Sequence, residues 1–468
     1  FLIEAISGSR LKCHSIIVYR FCKQQASDKL RRNNNLILSY SLMPQMPTTS
    51  QVQNNSFKEA ILNKRMLICI FTGFSSGLPL FVLYQLVPGW LRDEGVSLTE
   101  IGLFSLIGIP YVWKFLWSPL MDRYSLGVLG RRRSWMLVTQ LLLLGSIAAF
   151  GFVNPVMDIW SVAYLAAAVA FFSASQDIVL DAYRRELLPD NELGLGNSIH
   201  VQAYRLSGLV PGSLAFILAD HMSWQSVFMI VSAFMLLGVL LTLFIKELDS
   251  EHSAPKSLQE AVVLPFKDFI QSKGLKSAGY TLLFLVLYKL GDNMATALQT
   301  PFFIDMGFSK TEIGVVAKTS SLIAMTIGIV LGGIVMVKLS INRALWLFGL
   351  VQILSILGFA ALAEIGHNTY ALAMAMGFEY LGVGLGTAAF TAFIAKTTNP
   401  AFAATQIALF TALAVVPRTF ANATTGVIVE AIGWTNFYFL CTALAVPGML
   451  MLFKVAPWNE IRPNSSTN

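Results

Sequence analysis

The chain has 468 residues, 55% of them hydrophobic and 13% charged, with a mean hydropathy of +0.64 and a formal net charge of +7. Soluble domains carry roughly 25% charged residues, so this composition excludes a string of soluble domains, a disordered polymer and, with no Gly period, a collagen. Four cysteines make no disulfide framework, and no CxxC zinc site occurs.

Residues 1–42 hold Arg10, Lys12, Arg20, Lys23, Lys29, Arg31 and Arg32 against Glu4 and Asp28, which is five of the seven net charges. The segment opens on Phe1, has no sustained apolar run, and is followed by Met43 and Met46. It reads first as an upstream extension of the reading frame and second as an Arg-rich transit peptide. A nucleic-acid arm ranks last, because no motif or aromatic context accompanies the basic residues. Residues 1–65 together are expected to be a cytoplasmic tail.

From Met66 the chain is a train of apolar runs, each near the 20 residues a spanning helix needs. They lie near 66–90, 101–121, 134–153, 157–181, 195–219, 223–245, 278–304, 311–337, 343–364, 369–395, 404–430 and 433–454. Lipid offers the backbone no water, and the runs lack the alternation of barrel strands, so they are helices. The reading is an all-α membrane protein of twelve transmembrane helices in two six-helix halves, 66–245 and 278–454. A cytoplasmic linker, 246–277, joins them, and a cytoplasmic tail, 455–468, follows.

Loop charge sets the orientation. With the N-terminus inside, nineteen Lys and Arg of the chain beyond residue 42 fall in inside segments, and only Arg92 and Lys310 outside. In the linker, Ser257 and Glu260 have capping-box spacing. Leu258, Val262, Phe266 and Phe269 share a helical stripe that Pro265 would interrupt. A helix on the inner leaflet and a solvated linker stay equally open.

The halves repeat. Gly95, Ser97 and Thr99-Glu100-Ile101-Gly102 recur as Gly307, Ser309 and Thr311-Glu312-Ile313-Gly314, and Asp220 with Trp224 recurs as Glu430 with Trp434. Six helices duplicated in parallel around a long central loop is the plan of a major-facilitator transporter.

Nine ionisable residues fall inside spans: Lys114, Asp177, Asp181, Arg205, Lys289, Asp292, Lys318, Glu379 and Arg418. Each costs about 2.5–3.5 kcal/mol at a helix centre facing lipid, so they must face the bundle interior, water or each other. Spans 3, 6, 9 and 12 carry none and are expected at the periphery. Lys114, Arg205, Lys289, Asp292, Lys318, Glu379 and Arg418 are candidates for a substrate and proton pathway. They suggest a basic cavity for an anionic solute, with Glu379 or Asp292 as the proton-coupling site. Lys289 and Asp292, at i,i+3, could neutralise one another. The competing reading is that these charges only pair to hold or gate the halves. Asp177 and Asp181 in span 4, and Asp122, Arg123, Arg131, Arg132 and Arg133 between spans 2 and 3, are gating candidates. The bland alternative for the second group is inside-positive topology. No Walker, HExxH or GxSxG motif occurs, and the histidines are scattered, so neither ATP-driven transport nor catalysis is expected.

The run Lys114-Phe115-Leu116-Trp117-Ser118-Pro119-Leu120-Met121-Asp122-Arg123-Tyr124 with Gly130-Arg131-Arg132-Arg133 resembles the AmpG-type muropeptide permeases. So do Ser173-Ala174-Ser175-Gln176-Asp177-Ile178-Val179 with Asp181-Ala182, and Leu287-Tyr288-Lys289-Leu290-Gly291-Asp292. Ala404-Thr405-Gln406 and Gly433-Trp434 with Phe437-Tyr438 also fit, so the resemblance covers about Gly73 to Phe453. It implies proton-driven import of N-acetylglucosaminyl-1,6-anhydro-N-acetylmuramyl peptides across a bacterial inner membrane, for peptidoglycan recycling and β-lactamase induction. The implied partners are an anionic glycopeptide and the bilayer, with no cofactor beyond the proton gradient, no nucleic acid and no obligate protein partner. Such a substrate suits aromatic and amide contacts, for which Gln176, Gln202, Tyr204, Tyr288 and Tyr380 are candidates; each is equally placed for packing. Two alternatives stay open: a facilitator for another anion such as an acyl-coenzyme A or sugar acid, and a non-transporting membrane sensor.

Overall fold

The computed structural model describes residues 63–127, 129–189, 192–248, 274–397 and 417–459, with Gln271 and Phe410. The N-terminal tail before these, the Ser257–Glu260 stretch of the linker with its apolar stripe, and the 404–406 motif lie outside the described residues. Every regular element among the described residues is helical.

The first half opens with α1, Lys64–Asp93. The Asn63 side chain caps it, accepting from the Met66 N–H at 2.9 Å. Pro79 removes one donor within it, and a π-helical turn, Val82–Leu86, follows. After the left-handed Gly95 (φ 89°), α2 runs Leu98–Trp113. A reciprocal capping box of Ser97 and Glu100 starts it. Then come α3, Ser118–Arg123; α4, Arg131–Phe152; α5, Ile159–Leu187; α6, Leu193–Ser207; α7, Ala215–Ala219; and α8, Trp224–Phe244. The second half has α9, Leu275–Leu287; α10, Leu290–Ala297; α11, Gln299–Asp305; α12, Lys310–Lys338; α13, Ile341–Ile365; α14, Thr369–Thr397; and α15, Thr425–Val455.

Among the described residues, eight helices are long and apolar enough to cross a membrane. Expected spans 2, 5 and 7 are instead chains of shorter helices. Span 7 breaks at Lys289 (φ −105°, ψ 1°) and at Leu298 (φ −111°, ψ 27°). Such breaks at membrane depth survive where protein or a cavity, not lipid, meets the freed backbone. The first part of span 11 lies outside the described residues. Spans 11 and 12 meet without a loop, at Gly433 inside α15 (φ 78°, ψ 165°).

Close helix approaches use glycine. At Gly328 an added Cβ would press on the backbone of Leu381 and Gly384, so α12 and α14 pack almost backbone to backbone. Each half has an aromatic core at matching places. Trp90 meets Phe228 at 5.0 Å in the first half, and Phe302 meets Tyr438 at 5.0 Å in the second.

The ends of α1 and α11 tie the halves together. Asp93 accepts from Trp224 Nε1 in its own half at 2.8 Å and pairs with Lys310 Nζ of the other at 3.0 Å. Asp305 accepts from Trp434 Nε1 in its own half at 3.0 Å and pairs with Arg92 Nε of the other at 2.5 Å. The two repeat motifs are crossed in the same way. Glu430 accepts from the Thr99 N–H at 3.0 Å, and Asp220 accepts from the Thr311 N–H at 2.6 Å. Each carboxylate thereby satisfies an otherwise orphan N–H in the first turn of a helix from the other half.

Candidate functional site: a basic cavity between the halves

Beneath this interlock lies a cavity of about 390 Å³. The first half supplies Phe81, Tyr84, Gln85 and Tyr111; the second supplies Asn293, Gln299, Lys318, Tyr380, Arg418 and Asn422. Spans 3, 6, 9 and 12, the four without intramembrane charge, contribute nothing to its wall, and neither do spans 4 and 5.

Among the described residues two cations, Lys318 and Arg418, face this cavity, and no carboxylate lines it. Neither cation has an ion pair among the described residues. The carboxamide oxygens of Gln85 and Asn422 are buried without a hydrogen-bond partner. Tyr380 donates its hydroxyl to Gln299 Oε1 at 2.9 Å, which fixes one wall. The site therefore lacks a counter-charge for its cations and a donor for these two oxygens, which is what an anionic, hydroxyl-rich solute supplies.

The seven pathway candidates separate into groups. Lys318 and Arg418 line the cavity. Lys289, Asp292 and Glu379 form a second, buried cluster beside it. Lys289 Nζ lies 3.4 Å from Asp292 Oδ2, and Asp292 sits in the first turn of α10, where the helix dipole favours a carboxylate. Glu379 is fully buried, and Ser355 donates to its Oε2 at 2.6 Å. The carboxyls of Glu379 and Asp292 lie within interaction distance. One oxygen of each, Glu379 Oε1 and Asp292 Oδ1, has no donor among the described residues. Asn293 and Tyr380, the neighbours of these acids in sequence, are cavity wall.

Lys114 belongs elsewhere. Its Nζ is 4.0 Å from Asp177, whose Oδ1 accepts from Ser76 Oγ at 2.6 Å. This links spans 1, 2 and 4 within the first half. Arg205 is half-buried and lines no part of the cavity. A single cavity holding all seven residues is thus not what the chain builds. Sequence depth places charges along the membrane normal but not around it.

The gating contacts that the described residues show lie within the first half. Arg132 pairs with Glu186 at 2.9 Å, and its backbone N–H donates to Glu247 at 2.7 Å. Arg131 lies 4.0 Å from Glu186. Arg133 donates to the carbonyls of Thr242 and Leu243, fastening α4 to the end of α8. Asp181 pairs with Arg184 one turn on, at 2.8 Å. Asp122 and Arg123 close α3, and their side chains lie outside what the structure describes.

Of the five sugar-contact candidates, Tyr380 alone lines the cavity. Gln176 lies off this cavity: its amide donates to the carbonyl and hydroxyl of Ser75 at 2.9 Å, and its Oε1 is buried without a partner among the described residues. Tyr288 is buried, stacked on Phe390, and donates to the Leu345 carbonyl at 2.9 Å. Tyr204 packs on Phe81, and Gln202 is exposed away from the cavity. Gln85, Tyr84 and Asn422 were not foreseen. They are uncharged residues in apolar runs and give no signal in one sequence.

Residues 66–421 match the Major Facilitator Superfamily. The chain belongs to that family. Within it, the chain is 44% identical over 390 residues to the anhydromuropeptide permease of Escherichia coli K12, covering 83% of this chain and 79% of that one. That places it in the AmpG-type branch. A protein of Haemophilus influenzae is 47% identical over 424 residues, covering 88% of this chain and all of that one. Among solved structures, the nucleoside transporter NupG aligns with a TM-score of 0.66 at 14% identity, over 85% of this chain and all of that one. A D-xylose-proton symporter aligns with a TM-score of 0.64 at 14% identity, over 84% and 97%. At such identities these two show the major-facilitator fold alone.

Proposed function

We propose that this facilitator imports anhydromuropeptides across the inner membrane of a bacterium, driven by the proton gradient, with both termini in the cytoplasm. The 44% identity to the Escherichia coli anhydromuropeptide permease, over most of both chains, carries this reading. The cavity supports it in kind: two uncompensated cations for carboxylates, and free carboxamide oxygens for sugar hydroxyl and amide donors.

Coupling falls to the acidic cluster. Glu379 and Asp292 are neighbouring acids, each with one oxygen that lacks a donor among the described residues, and a proton shared between them would supply one. Lys289 then balances the remaining charge. Because Asn293 and Tyr380 flank these acids and also line the cavity, substrate seated there presses on the backbone that carries the proton site.

The test is uptake of labelled anhydromuropeptide into energised vesicles. Accumulation that an uncoupler collapses supports the reading. No uptake refutes the substrate, and uptake indifferent to the uncoupler refutes the coupling. Selective accumulation of an acyl-coenzyme A or a sugar acid in place of muropeptide would reassign the cavity to that anion.

A further inference from the structure

The cavity is asymmetric in a way that orients its ligand. Both cations come from the second half, Lys318 directly after the π-helical turn Ile313–Ala317 inside α12 and Arg418 just before α15. Among the described residues the first half offers no charge to the wall. It offers the Gln85 carboxamide, whose oxygen is buried and unpartnered, and the partly exposed ring of Tyr84. Asn422, one turn beyond Arg418, presents the other unpartnered carboxamide oxygen. Gln85 and Lys318 approach each other across the halves, since both lie against Gly212.

Resting on the muropeptide reading, we infer that Lys318 and Arg418 are the specificity residues for the acid group of the substrate. Gln85 and Asn422 receive donors from its sugars, and the Tyr84 ring faces a pyranose. The acid end thus lies against the second half and a sugar lies against the first, so the bound ligand bridges them. A charged group held by a guanidinium and an ammonium gains strong charge-assisted hydrogen bonds. A neutral amide in the same place leaves both cations without a counter-charge. Discrimination between acid and amide is therefore the property these two residues control. Donors to Gln85 and Asn422 are present in both forms and do not discriminate.

The experiment uses the full-length protein in lipid nanodiscs and two probes. One is the N-acetylglucosaminyl-anhydro-N-acetylmuramyl tripeptide with its peptide carboxyls free; the other is the same glycopeptide with those carboxyls amidated. Wild type is expected to bind the acid at least tenfold more tightly than the amide. Lys318→Gln and Arg418→Gln are each expected to reduce that ratio at least fivefold, chiefly by weakening the acid. Lys318→Arg, which keeps the charge, should retain most of it. Gln85→Leu and Asn422→Leu should weaken both probes and leave the ratio within twofold. Melting temperatures measured on each variant separate unfolding from lost binding. A wild-type ratio near one, or a ratio unmoved in folded Lys318→Gln and Arg418→Gln, overturns the inference while leaving the muropeptide reading standing. Binding of neither probe to wild type overturns both.

Discussion

Glu379 shows how one residue acquires a task from its surroundings. It is fully buried, holds one hydroxyl donor from Ser355, and faces a second acid. Glu379→Gln keeps the shape and the Ser355 contact but cannot gain or lose a proton in the working range. The expected outcome is loss of concentrative uptake by at least tenfold at normal protein level, while exchange of labelled for unlabelled substrate across vesicles continues. A variant that still concentrates substrate would remove Glu379 from coupling. Gly212 works by absence. An added Cβ there would sit 2.8 Å from Lys318 Cε and against the Gln85 carboxamide. Both are ends of flexible side chains, so the backbone need not move, but both must turn away from their present positions. Gly212→Ala is therefore expected to raise KM for uptake several-fold with little change in melting temperature. An unchanged KM would show that neither side chain needs its present position.

At the scale of elements, the membrane helices were legible because hydropathy and length report on lipid directly. What was not legible is where they break. Span 7 reads as one apolar run from 278 to 304, yet Lys289 and Leu298 leave helical geometry and divide it. Pro301, which removes a donor and crowds the carbonyl four residues back, marks the break at Leu298; no Pro marks the one at Lys289, which one sequence does not disclose. Rotation about each helix axis was equally hidden. Depth along the chain gave no sign that Arg418 faces the cavity while Lys289 and Glu379 lie behind its wall. Gly433 is a contrasting case, where sequence and geometry agree. Its φ of 78° and ψ of 165° fall in a region that essentially only glycine occupies, and there α15 turns from span 11 into span 12. Gly433→Ala should cost about 1–3 kcal/mol of stability, read as a lower melting temperature in detergent. A melting temperature equal to wild type would show that the turn can relax to another geometry.

For the whole molecule, the internal repeat is more than a trace of duplication. The capping boxes at Ser97 and Ser309 start equivalent helices, and each receives a carboxylate from the opposite half, Glu430 at Thr99 and Asp220 at Thr311. Sequence revealed the matched motifs but not that each is the other's lock. The relation extends to Asp93 and Asp305, each of which holds a Trp of its own half and a cation of the other. Alternating access requires these cross-half contacts to open together when this end of the cavity opens. Asp93→Asn with Asp305→Asn isolates their contribution, because Asn still accepts from the Trp but no longer attracts the cation. Partly exposed pairs are worth about 0.2–1 kcal/mol each. Losing both shifts the closed-to-open balance by about 0.5–2 kcal/mol, or roughly two- to thirtyfold. Ala297 lines the cavity, so Ala297→Cys supplies a reporter. Its labelling by an impermeant thiol reagent added from the Asp93 side should accelerate by that factor in the double variant. If labelling is unchanged in the Asn variant, the carboxylates on Thr99 and Thr311, with the close approach of Gly102 to Gly426, hold this end shut without the ion pairs.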